Sequence, residues 1–85
     1  MKVLVPSALR SYTGASQVEA AGESLLALFA DLDQRYPGLR FRVVDERDLL
    51  RPNMRIFVNG VGVRDLGRAL QPDDCVAIVL ALSGG

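Results

Sequence analysis

Cys75-Val76-Ala77-Ile78-Val79-Leu80-Ala81-Leu82 is apolar at every position, and only Ser83-Gly84-Gly85 follow it. Side chains of a strand alternate between two faces, so a strand with no polar position is expected to be covered on both sides or to lie centrally in its sheet. The turn-forming Gln71-Pro72-Asp73-Asp74 leads into it. At the other end of the chain, Lys2-Val3-Leu4-Val5 is a short β-rich run broken by Pro6. Pairing the first strand with the last brings both chain ends into the sheet centre.

Between these strands the elements read in order. Thr13-Gly14-Ala15-Ser16 forms a turn, and Gln17-Val18-Glu19-Ala20 alternates polar and apolar, so the chain opens as a hairpin with a long loop. Ser24 to Tyr36 carries Leu25, Leu28, Phe29 and Leu32 at i, i+3, i+4 and i+7, the apolar stripe of an amphipathic helix. Gly22 or Ser24 caps its start, and Pro37-Gly38 stops it. From Leu39 to Pro52 the pattern weakens around the charge run Asp45-Glu46-Arg47-Asp48, which reads as a variable, solvated loop. Arg55-Ile56-Phe57-Val58, the turn Asn59-Gly60, and Val61-Gly62-Val63 form a second hairpin. One helix against one face of a mixed sheet of four to five strands is an α+β arrangement in the order of a β-grasp fold.

At 85 residues, one domain spanning 1–85 is expected, with 82–85 as a flexible tail. An apolar content of 49% beside 24% charged residues is the balance of a folded chain. Cys75 is the sole cysteine, which excludes an intrachain disulfide and fits a reducing, cytoplasmic setting. Ten basic residues balance ten acidic ones, without the basic excess that phosphate backbones demand, so nucleic acid is not expected as a partner. No apolar run reaches the roughly 20 residues that span a bilayer, and the N-terminus is too short for a signal segment, so neither membrane nor export is expected.

The chain contains no histidine, which excludes Ser-His and Cys-His nucleophile activation and histidine metal sites. Gly60-Val61-Gly62-Val63-Arg64-Asp65 starts like a dinucleotide loop, but Asp65 stands where the third glycine belongs. With no phosphate-binding loop, the chain has no cradle of its own for ATP, and no cofactor is expected to be stably bound. Asp73-Asp74 and Asp31/Asp33 read as a turn and a solvated helix flank, and Cys75 as a packed, inert thiol. No catalytic or metal-binding set emerges.

The tail carries chemistry of a different kind. Two terminal glycines directly after a buried strand have no Cβ, and they extend by about 3.3 Å per residue into a narrow slot. The Gly85 carboxylate can then be delivered to an active site elsewhere, and the alternative reading of the same residues is a frayed glycine-rich terminus.

These features together resemble the ThiS/MoaD sulfur carriers, small β-grasp proteins ending in Gly-Gly. The resemblance covers nearly the whole chain. It rests on the opening strand, the helix ending Arg35-Tyr36-Pro37-Gly38-Leu39, the segment Ile56-Phe57-Val58-Asn59-Gly60, Val63-Arg64, and the terminal Ser83-Gly84-Gly85. It implies that a ubiquitin-activating-type enzyme uses ATP to adenylate Gly85, and that a sulfur donor then converts the acyl-adenylate to a thiocarboxylate. It also implies that Gly84 and Gly85 occupy the partner's channel, with Leu82 and Ser83 at its mouth. An apolar patch including Phe57 with Val61 or Leu80 would dock the partner, although each of the three also reads as core. The protein is then a substrate of enzymes and not an enzyme itself.

The implied sulfur acceptors are the molybdopterin synthase large subunit, thiazole synthase or a cysteine-synthase-like enzyme. Asp73-Asp74 and Ala81 depart from the Gly-Asp turn and the proline of many members, and the long Phe41–Pro52 stretch resembles the molybdopterin and cysteine branches. The rival expectation is a ubiquitin-like binding or conjugation module without sulfur transfer.

Overall fold

The computed structural model describes residues 1–81. The sheet has five strands: β1 (Lys2–Leu4), β2 (Gln17–Glu19), β3 (Met54–Val58), β4 (Val61–Val63) and β5 (Cys75–Leu80). Their spatial order is β2-β1-β5-β3-β4. The first and last strands pair in parallel, Val3 opposite Val76, and every other pairing is antiparallel. This is the mixed β-grasp sheet expected from the sequence, with β5 at its centre.

The main helix, α2 (Leu25–Arg35), buries Leu25, Leu28, Phe29 and Leu32 against one sheet face. Removing each such side chain from water contributes about 1.5–3 kcal/mol. Ser24, not Gly22, caps the helix: its hydroxyl oxygen accepts a hydrogen bond from the Ala27 N–H at 3.2 Å. Gly22 has a packing role instead, since a Cβ there would lie 2.4 Å from the Leu28 nitrogen. At the other end the helix stops before Pro37 as expected, because Pro37 has no N–H to continue the ladder and Gly38 takes a left-handed φ of 96°.

Two segments differ from the sequence reading. The stretch from Leu39, expected to be a loop, begins with a helix, α3 (Leu39–Val43), which buries Leu39 and Val43. These positions are i and i+4, so one side of a single turn faces the core while Arg40, Phe41 and Arg42 interrupt any longer pattern. The loop of the opening hairpin likewise contains a 3-10 turn (Ser7–Leu9) and a short helix, α1 (Arg10–Thr13), with Leu9 plugging the core. Both insertions lie beside the sheet end at which β5 finishes.

The last strand meets the second of the two arrangements expected for it. It is central, but only one of its faces is packed: Val76 and Ile78 are buried, whereas Val79 is 40% exposed. The alternation is hidden in the sequence because the solvent-facing positions Cys75, Ala77 and Val79 are apolar as well. The buried residues of α2, α3 and all strands but β4 form one cluster, supplemented by Leu66 and Leu70 from the segment preceding β5.

Candidate functional site

The site begins with the direction of β5. Because β5 runs parallel to β1 between β1 and β3, the chain leaves the sheet at its centre and not along an edge. Leu80 is the last paired residue, opposite Met54, and one further hydrogen bond, from Ala81 N–H to the Asn53 carbonyl at 2.8 Å, guides the departing chain. The predicted tail, Leu82, Ser83, Gly84 and Gly85, lies outside the described residues.

Next to this exit is the open face of the sheet. The pairings align Gln17, Leu4, Ala77, Phe57 and Gly62 in one row across all five strands. Leu4 is 39% exposed and Val79 40%, while Phe57 is half-buried. Gly62 leaves room for the Phe57 ring, whose Cε1 would lie 3.7 Å from a Cβ at that position. Charged and polar side chains frame the patch: Lys2 and Glu19 face each other on β1 and β2, and Arg55 sits opposite Val79. An apolar centre with a polar rim is the usual form of a protein-docking surface.

Phe57, Val61 and Leu80, the residues expected to form the docking patch, do not come together. Phe57 belongs to the open face. Val61 pairs with Val58 and Leu80 with Met54, so both project on the helix side of the sheet. There Leu80 packs partly against the core, and Val61, on the edge strand, is 61% exposed. Leu4, Ala77 and Val79 were missing from the sequence reading. Their signal was the two-residue strand period, which required the register to be known first.

The acidic pairs serve the backbone. Asp31 accepts a hydrogen bond from the Ala21 N–H at 2.8 Å and pairs with Arg35 at 3.0 Å. The Ala21 bond, followed by the Arg35 contact, lowers the Asp31 pKa. Asp33 receives the Gly38 N–H at 3.1 Å. Asp74 is held below the ordinary aspartate range by the Gln71 N–H and then by the Asn59 side chain. Carboxylates kept ionised in this way are poor proton donors at neutral pH. Among the described residues no cluster of three or more His, Cys, Asp or Glu side chains is placed to hold a metal ion. No helix of the described residues is long and apolar enough to cross a membrane.

Comparison with known proteins places this geometry. The chain is 35% identical over 89 aligned positions to the sulfur carrier protein CysO of Mycobacterium tuberculosis, covering 98% of this chain and 96% of that protein. It superposes on a chain of the crystal structure of the Amycolatopsis orientalis BexX/CysO complex with a TM-score of 0.91 at 32% identity, covering 99% of this chain and 98% of that one. The solution structure of small archaeal modifier protein 1 from Methanosarcina acetivorans is similar at a TM-score of 0.83 and 26% identity, covering 99% and 94% of the respective chains. The model of the ThiS family matches residues 3–85, through the last glycine. The chain belongs to the ThiS family.

Proposed function

We propose that this protein is a sulfur carrier charged at the carboxylate of Gly85. A partner enzyme of the ubiquitin-activating type binds ATP, and a carboxylate oxygen of Gly85 attacks the α-phosphorus, releasing pyrophosphate and leaving an acyl-adenylate. Hydrosulfide supplied by the donor then attacks the acyl carbon and expels AMP, losing its proton and leaving sulfur where one carboxylate oxygen stood. Activation is needed because a free carboxylate is a poor electrophile, whereas AMP is a good leaving group. The carrier itself supplies no acid, base or metal. It supplies delivery.

The observation that carries this reading is the position at which β5 ends. The described chain ends at Ala81, held to Asn53 at the close of a central strand parallel to β1 and beside an open apolar face. That face gives the partner a docking surface next to the tail it must receive. Leu82 and Ser83 would then stand at the mouth of the partner's channel with Gly84 and Gly85 inside it, where any Cβ would clash. The homology to CysO favours a cysteine-synthase-like acceptor over the molybdopterin synthase large subunit or thiazole synthase.

Removal of Gly85, or Gly84→Ala, tests the assignment. Both changes lie beyond the core and should leave the unfolding midpoint unchanged while abolishing ATP-dependent adenylation. Normal adenylation of the truncated chain would contradict it. Similarity to a protein named as a modifier supports conjugation through Gly85 as a second reading, and higher-mass ladders of the protein in cell lysate would favour it.

A further inference from the structure

A second surface adjoins the tail exit on the helix side of the sheet. Here a cleft of about 490 Å³ is lined by Phe41, Arg42, Arg51, Asn53 and Leu80, among others, and among the described residues no carboxylate contributes to it. Arg51 is fixed in place twice: its Nε–H donates to the Phe41 carbonyl at 2.7 Å, and its guanidinium carbon lies 4.5 Å from the centre of the Phe41 ring. Stacking and the Nε bond orient the guanidinium plane, and both Nη groups lack a hydrogen-bond partner among the described residues. Arg42 has neither an ion-pair nor a hydrogen-bond partner among them.

Of the acids in the charge run beside the cleft, Asp45 and Asp48 are engaged and Glu46 has no partner among the described residues. Asp48 pairs with Arg40, and Asp45 receives the N–H groups of Arg47 and Leu49 as well as the Arg47 guanidinium. Arg42 and Arg51 thus stand beside Leu80 and Asn53 with no acidic partner among the described residues. A preorganised arginine fork with open Nη donors matches a carboxylate in geometry and charge.

We propose that Arg51 and Arg42 clamp an acidic segment on the rim of the activating enzyme's tail-receiving site, fixing the carrier's orientation as its tail enters. This rests on the assignment of Gly85 as the group that enzyme activates. A rim contact of this kind acts on encounter and binding and leaves the chemical step alone.

Arg42→Glu and Arg51→Glu, each assayed with the cognate activating enzyme by ATP-dependent thiocarboxylate formation, separate the possibilities. Each is expected to raise KM for the carrier by about tenfold, since charge reversal sets like charges against each other, with kcat unchanged. Raised salt should weaken wild-type binding more than that of the variants. Arg42 is exposed and has no hydrogen-bond or ion-pair partner among the described residues, so its variant stands if Arg51→Glu fails to fold. A KM for Arg42→Glu within twofold of wild type, or an unchanged salt dependence, would overturn the clamp. Failure of wild type itself to be adenylated would instead overturn the assignment of Gly85.

Discussion

Asn59 and Cys75 are joined by a reciprocal pair of hydrogen bonds: the Asn59 N–H donates to the Cys75 carbonyl at 2.8 Å, and the Cys75 N–H donates to the Asn59 side-chain oxygen at 2.9 Å. The Asn59 amide nitrogen also donates to Asp74 at 2.9 Å. The β3–β4 turn is thereby tied to the start of the strand that carries the tail. Asn59 has a φ of 52°, a left-handed conformation that asparagine tolerates better than alanine. Asn59→Ala should destabilise the fold by about 2 kcal/mol, through the lost side-chain bonds and the backbone conformation together. Asn59→Gly, which relieves only the backbone, should recover part of that loss. Urea unfolding of the two variants measures the division, and equal midpoints would deny the conformational contribution.

The same network makes stability depend on acid. Asp74, Asp45 and Asp31 all have folded pKa values lowered from the ordinary 3.8, each chiefly by a backbone N–H donated to the carboxylate. A lowered folded pKa means that the unfolded chain takes up protons first as pH falls. The stabilisation is therefore present in full above the unfolded value and is lost as pH drops through the folded one. Stability should be level near neutrality and fall below pH 3.8. Asp74→Asn should be less stable than wild type at pH 7 and converge with it in strong acid. Parallel stability curves for the two proteins would exclude Asp74 as a contributor.

Gly22 tests the packing of the helix start. A Cβ at this position would lie 2.4 Å from the Leu28 nitrogen and 2.7 Å from its Cα, and backbone cannot swing aside as a flexible side chain can. Gly22→Ala should cost about 3 kcal/mol or prevent folding. Gly62→Ala is the matched control, because its Cβ would meet only Phe57 at an ordinary 3.7 Å, and it should change stability by less than about 1 kcal/mol. Thermal unfolding followed by circular dichroism distinguishes them.

How far the sequence reveals this molecule depends on how local each signal is. The stripe Leu25, Leu28, Phe29 and Leu32 and the Asn59-Gly60 turn are carried by neighbouring residues, and both elements stand where the sequence places them. The central position of the last strand was legible because nothing polar interrupts it. Which of its faces is open was not, since Ala77 and Val79 are apolar like Val76 and Ile78, and only pairing with β1 and β3 distinguishes them. For the same reason apolar character alone groups Phe57 with Val61 or Leu80, whereas the register places it on the opposite face. Helix α3 escaped notice because a single turn with Leu39 and Val43 on its inner side is too short to show a period against the charge run that follows.

The open face gives a prediction about binding. Leu4 and Val79 are solvent-facing while their neighbours Val3 and Ile78 make the core, so Leu4→Asp and Val79→Asp alter the surface with little effect on packing. Each should weaken association with the activating enzyme by about tenfold, because a charge would be buried without a partner at the contact. Their thermal midpoints should stay near that of wild type. Isothermal titration measures the binding, and undiminished affinity in both variants would place the docking surface elsewhere.

The central claim is that sulfur is carried on Gly85, and intact mass measures it most directly. The protein, purified with no extension after Gly85, is weighed before and after incubation with ATP, its activating enzyme and a sulfide source. Replacement of one carboxylate oxygen by sulfur predicts a gain of about 16 Da, absent from the chain lacking Gly85. An unchanged mass, with an enzyme shown to be active on another carrier, would contradict sulfur transfer and leave the conjugating or docking module as the reading that stands.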